Sequence, residues 1–202
     1  MGRTHDSIDA RLAGFMLAQP LFFVASAPLT AEGHVNCSPK SNHGELVVLD
    51  ESRVGYLDRT GSGVETIAHL RENGRIVLMF CAFEGPPRIV RIHGRGSVVE
   101  PGDEGFGELS ARFPTDRIEG ARSIIVVSAE RVSDSCGYGV PLMEFTAHRS
   151  QMAEWAARKG EDGLREYREA NNARSLDGLP GLQSVELLSP DSRPAGFRAR
   201  PD

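Results

Sequence analysis

Apolar positions along this chain fall mostly into short runs and only occasionally into helical stripes. The first stripe is helical: Ile8, Leu12, Phe15, Met16 and Gln19 follow three-four spacing. That spacing predicts a helix over 4–19, stopped by Pro20. Leu21–Ala27 is a strongly apolar strand, Pro28–Gly33 a turn, and His34–Ser38 starts a second strand with Lys40 at its end. The pair predicts a hairpin. Glu45–Asp50 and Arg53–Asp58 read as strands three and four. Val64–Glu72 reads as a helix ended by Asn73-Gly74. Two further strands, Arg75–Phe83 and Arg88–Glu100, flank Glu84-Gly85-Pro86-Pro87. A short helix over Gly102–Phe113 and a strand over Ala121–Ser133 follow.

The last third changes character. Leu142, Phe145, Met152, Trp155 and Ala156 predict one face of a helix ending at Lys159-Gly160, and Asp162–Asn171 a second helix. After Leu182 the chain turns Pro-, Ser- and Arg-rich and predicts a loose tail. Strand after strand with short turns predicts antiparallel pairing, and such sheets remove their edges by closing into a barrel. The expected fold is mainly β with flanking helices (α+β). Residues 1–141 would form the barrel domain and 142–202 a helical appendage with its tail.

Composition narrows the functional classes. A chain of 202 residues can bury a core without disulfides or metals. Its net charge of −5 argues against a nucleic-acid partner. The three cysteines, Cys37, Cys81 and Cys136, form no CxxC pair, and the histidines form no HExxH, so no metal site is expected. Reduced cysteines fit a cytoplasmic protein. Leu12–Ala27 imitates a signal peptide, but Asp6, Asp9 and Gln19-Pro20 break the pattern, and no run is long enough for a membrane helix.

Three places carry candidate chemistry. The first is Tyr56–Thr66, YLDRTGSGVET, where a strand passes through two glycines into a helix. Gly61 and Gly63 let a ligand approach the backbone, Thr60, Ser62 and Thr66 offer hydroxyls, and a helix start favours an anion such as phosphate. The alternative is a plain capping box made by Ser62 and Glu65. A Rossmann site fits worse, because Thr66 stands at the third glycine and the βαβ rhythm is missing. The second place is Lys40, one of only two lysines among 23 basic residues. It reads as a phosphate counter-charge or as an ordinary turn lysine. The third is PPRIVRIHGRG, where Arg88 shares the apolar face with Val90 and Ile92 and so calls for an anionic partner, while Arg91 lies on the other face. Cys136 could serve as a nucleophile only with a base beside it; a ligand-contact or packing role suits its loop, SCGYGVP, better.

In order and spacing, NCSPK, YLDRTGSGVETIAHLRENGRIVLMF and PPRIVRIHGRG resemble the pyridoxamine 5′-phosphate oxidase-like family of flavin-binding split barrels over residues 10–133. SCGYGVP and SLDGLPGL resemble a subgroup whose substrates are unassigned. The resemblance implies a six-stranded antiparallel split β-barrel and a homodimer with FMN at the interface. It also implies FMN contacts from Asn36, Ser38, Lys40, Tyr56, Leu57, Asp58, Thr60, Gly61, Ser62, Gly63, Thr66, Arg88, Arg91, Cys136 and Gly137. The departures matter too. The glutamine of the family's RQVR strand is Ile89, the cations of its phosphate loop are replaced by Gly61-Ser62-Gly63, and the C-terminal R-x-H element is absent. The expected activity is therefore hydride transfer between FMN and a small substrate other than the vitamin B6 phosphates. The alternatives are a non-catalytic flavin-binding protein, or a split barrel that uses haem or a deazaflavin.

Overall fold

The computed structural model describes residues 2–185. Eight strands form one antiparallel sheet. Six are long: β2 (Leu21–Ser26), β3 (Asn36–Ser41), β5 (Arg53–Arg59), β6 (Arg75–Cys81), β7 (Ile89–Val99) and β8 (Ala121–Ser135). Two have three residues: β4 (Leu46–Val48), the centre of the strand expected over Glu45–Asp50, and β1 (Arg3–His5), which was not expected. The order is β3-β2-β6-β7-β8-β5-β4, with β1 on the end of β8. The sheet curls around a core centred on Phe22, which stacks on Phe80 (5.4 Å) and meets Tyr56 edge-on (5.5 Å). The hairpin expected from the sequence forms, with β2 and β3 paired from Leu21–Ser41 to Ser26–Asn36.

Residues directly opposite in a sheet share a face, which fixes what points inward. Phe22 and Val24 of β2, Leu78 and Phe80 of β6, Val90 and Ile92 of β7 and Ile125 and Val127 of β8 are fully buried inside. A second, smaller cluster forms on the outer side of β5 and β8, where Leu57 and Ile124 pack with Phe113 and Ala121. The short helices α3 (Phe106–Ser110) and α4 (Thr115–Ile118) lie in that region; the single helix expected over 102–113 is thus shorter and is followed by a second.

Three expectations need correction. Helix α1 spans Ala10–Ala18, starting six residues later than its apolar stripe implied. Asp9 sets the start by accepting a hydrogen bond from the Leu12 N–H at 2.8 Å. The residues before it instead extend β8 through pairs such as Thr4–Ser133. Second, 141–150 is not helical, so Leu142 and Phe145 lie exposed on an irregular segment and not on a helix face. Helix α5 (Gln151–Asn171) begins only after them, and Gly160 (φ 64°, ψ 178°) breaks it near the boundary expected between two helices. Third, the chain just after Leu182 is not loose. The N–H groups of Gln183 and Ser184 bond the Glu100 carboxylate at 2.8 and 2.9 Å, and Val185 joins the core. The rest of the expected tail lies outside the described residues. Helix α2 (Glu65–Asn73) ends at Gly74 as expected. Among the described residues no helix is long and apolar enough to cross a membrane.

Candidate functional site

The inner face of β3 carries the first group of candidates. Asn36, Ser38 and Lys40 stand opposite Ser26, Val24 and Phe22, so they share the inward face. They are half-buried, because β3 is the sheet's edge strand. Ser38 Oγ donates to Asn36 Oδ1 (3.0 Å), and Asn36 Nδ2 donates to Thr66 Oγ1 (2.9 Å) and Ser26 Oγ (3.4 Å). Ser26 Oγ in turn meets His69 Nδ1 at 3.0 Å. Asn36, Ser38 and Thr66 are therefore one network, extended by Ser26 and His69, which the sequence did not single out. His69 is buried, which holds its imidazole below the usual pKa, and its Nε2 has no partner among the described residues.

Lys40 turns out to be neither a free counter-charge nor a plain turn lysine. Its Nζ lies 2.6 Å from Asp58 Oδ1, and Arg122 Nε lies 2.8 Å from Asp58 Oδ2. This bridge ties β3, at one edge of the sheet, to β5 near the other. Burial alone would raise the Asp58 carboxyl, but Lys40 and then Arg122 overcome it and hold it at about 2. Arg122 reaches Asp58 because the register slips here: Asp58 pairs with Ser123 but Arg59 with Ala121, leaving Arg122 as the bulged residue. The hydroxyls of Tyr56 and Ser123, on the same face as Asp58, are buried without partners among the described residues. Burial, and then the Asp58 charge, push the Tyr56 phenol well above its ordinary pKa.

The Thr60–Gly63 loop is gripped from both sides. Arg168 of α5 donates from Nε to Thr60 Oγ1 (2.8 Å) and from a terminal nitrogen to the Ala121 carbonyl (3.2 Å). Asn172 Nδ2 donates to the Gly61 carbonyl (2.9 Å), which Arg122 also approaches at 3.4 Å. The capping box does not form: Val64 is the cap residue, without a side-chain bond, and Ser62 is exposed. The Glu65 carboxylate instead folds back against Gly63 and accepts the Leu176 N–H at 3.2 Å. Arg122, Arg168 and Asn172 went unnoticed in the sequence. The only hint was an arginine opening the apolar run ARSIIVV; nothing local marks Arg168 or Asn172, over 100 residues from the loop.

Arg88, Arg91, Cys136 and Gly137 form a second group. Arg88 has the anionic partner its position demanded, Asp134 at 2.8 Å, and lies over the Phe15 ring at 5.0 Å. Burial would raise the Asp134 carboxyl, but Arg88 and then His5 hold it low. Gly137 (φ 65°) packs directly on the Arg88 backbone, where a Cβ would come within 2.7 Å of its nitrogen. A cavity of about 330 Å³ opens here between Arg3, His5, Asp9, Arg88 and Asp134. Arg91 bonds Ser135 Oγ at 3.1 Å, but it stands opposite Met79, itself opposite Phe23, on the outer face. Within one chain Arg91 and Lys40 thus project from opposite sides of the sheet. Leu57 is buried in the outer apolar cluster, and Cys136 is exposed and unpaired.

Residues 8–136 match the model of the pyridoxamine 5′-phosphate oxidase family. The chain belongs to that family. The pyridoxamine 5′-phosphate oxidase family protein ustO of Aspergillus flavus is 42% identical to it over 90% of this chain and 78% of its own length. Among solved structures, a variant of HupZ from Group A Streptococcus shares the fold, with a TM-score of 0.50, 20% identity, and coverage of 63% of this chain and 99% of HupZ. A FAD-binding protein of Mesorhizobium loti scores 0.46 at 17% identity, covering 66% of this chain and 95% of its own. In this family member helix α5 and its C-cap bring Arg168 and Asn172 to the barrel's glycine loop.

Proposed function

We propose that this family member binds FMN and transfers hydride between the flavin and a small organic substrate. The observation that carries the reading is the buried group at the end of β5. There Lys40 and Arg122 share one carboxylate, with two unpartnered hydroxyls alongside and a glycine loop next in the chain. Cations and hydroxyls at a loop leading into a helix are the donor set a phosphate monoester needs. Lys40, Ser123, Thr60 and the backbone of Gly61–Gly63 would hold the phosphate, with Asp58 keeping the Lys40 and Arg122 heads aligned. The Asn36–Ser38–Thr66 network offers directed hydrogen bonds beside them. When bound, the isoalloxazine would supply the hydride-accepting centre, which no side chain provides.

Arg91 lies on the opposite face of the sheet from Lys40, which supports a homodimer in which the outer face of one copy meets a site edge of the other. The exposed stretch holding Tyr138 (82% exposed), Leu142 (80%), Met143 and Phe145 is the apolar surface such a pairing would cover. The free cysteines support a reducing, cytoplasmic setting. The test is titration of the purified protein with FMN, followed by anaerobic mixing with nicotinamide cofactors and small reductants. A yellow protein whose flavin is reduced and reoxidised supports the reading. Protein that takes up no FMN overturns it, and flavin that no donor reduces overturns the catalytic half alone.

A further inference from the structure

The charges around the Thr60–Gly63 loop do not balance. Asp58 has both oxygens engaged, one by Lys40 and one by Arg122. Arg168 adds a third cation, and both of its bonds go to neutral oxygens, Thr60 Oγ1 and the Ala121 carbonyl. Among the described residues no carboxylate pairs with it. Burial, and then the nearby Arg122 charge, hold its guanidinium below the ordinary value, while Glu161 and Glu100 offset this only in part. A half-buried guanidinium beside a second one is costly unless an anion is shared between them.

The position of Arg168 is built, not accidental. Asn172, one helical turn further on, is tied to the Gly61 carbonyl. The segment beyond returns antiparallel, with Leu182 N–H on the Asn172 carbonyl and Gly181 N–H on that of Ala173. Gly181 then packs on Val64, and Leu182 enters the core. The glycine loop itself has no cationic side chain from Gly61 to Gly63. Its hydroxyl neighbour Thr60, by accepting from Arg168, keeps its own O–H free to donate.

We infer that Arg168, delivered by the C-terminal helix, is a phosphate ligand of this site and the residue that makes the protein select phosphorylated flavin over riboflavin. This rests on the flavin reading above. The guanidinium has N–H groups left for an acceptor after its two bonds, and two adjacent guanidiniums match a dianionic phosphate better than any single carboxylate. Arg168 is thereby a binding residue contributed from outside the residues 8–136 that carry the family match.

The experiment compares the affinities of the full-length chain, Arg168→Gln and Arg168→Lys for FMN and for riboflavin, by flavin fluorescence quenching at low and high salt. Arg168→Gln should weaken FMN roughly ten- to hundred-fold, leave riboflavin unchanged and flatten the salt dependence of FMN binding. Arg168→Lys should recover part of the loss. Near-ultraviolet circular dichroism, sensitive to the Trp155–Tyr167 pair beside this residue, checks that α5 stays docked. Equal weakening for both flavins, or no weakening, makes Arg168 a loop clamp and overturns the inference while leaving the flavin reading intact. A wild-type chain that binds neither flavin overturns the flavin reading itself.

Discussion

Asp58→Asn removes the one negative charge that holds β3, β5 and β8 together at the site. The substitution keeps the shape and one acceptor oxygen but leaves two cations without a counter-charge. Breaking a buried pair by removing one partner costs about 3–5 kcal/mol. Lys40 retains 21% side-chain exposure and can turn its ammonium to water, whereas Arg122 retains only 5% and cannot. The cost should therefore fall at the low end, about 3 kcal/mol. For a chain of this size that lowers Tm by roughly 6–12 °C. The same carboxylate gives a second handle. Its pKa falls from an ordinary 3.8 to about 2 in the folded state. At about 1.4 kcal/mol for each pH unit, that is worth roughly 2 kcal/mol. Because the folded value is the lower one, the stabilisation is complete above pH 4 and lost as the pH falls towards 2. Urea unfolding of wild type and Asp58→Asn at pH 7 and between pH 4 and 2 measures both effects. The variant should be less stable at pH 7 and should lose less than wild type on acidification. A variant within about 0.5 kcal/mol of wild type at pH 7, with the same acid dependence, would refute the buried three-charge cluster.

Three further outcomes follow from the same geometry. Gly137→Ala should lower the urea midpoint by an amount equivalent to about 1–3 kcal/mol, since a side chain there is both strained and pressed on the Arg88 backbone; an unchanged midpoint would mean the SCGYG loop does not pack there. Burial holds the His69 imidazole below its ordinary pKa in the fold, so the unfolded chain takes up its proton first. Its contribution to stability is thus present above its ordinary pKa of 6.5 and lost as the pH falls below it. His69→Gln should remove that component of the acid dependence in unfolding titrations between pH 7.5 and 5.5; an identical pH profile would count against it. Ser62→Asp, which sets a like charge on the loop, should weaken FMN binding; unchanged affinity by titration would exclude the loop from the site.

The strands were legible because their apolar runs and the glycine and proline turns between them are local signals. Helix α2 and its Gly74 end were legible for the same reason. The misplaced start of α1 shows the limit. The three-four stripe at Ile8 is real, but Asp9 caps the helix, and the β8 edge competes for Arg3–His5. Leu142 and Phe145 have helical spacing relative to Met152 yet sit on an irregular segment, where the Met143 N–H bonds the Phe83 carbonyl and the Phe145 N–H the Glu84 carboxylate. At the site, the family resemblance pointed to Asn36, Ser38 and Asp58, and local pattern to Thr60, Thr66 and the glycine loop. It could not find Arg122 or Arg168, whose roles arise from a β-bulge and from a helix that returns from far along the chain. Lys40 illustrates the middle case. Its scarcity singled it out, but only the fold revealed that Asp58 already occupies it.

Titration of the purified chain with FMN, read by its absorbance spectrum, tests the central claim most directly. Saturable uptake with perturbed flavin bands, and preference for FMN over riboflavin, is the expected result. A protein that leaves the spectrum of added FMN unchanged, or that shows a Soret band in its place, would contradict it.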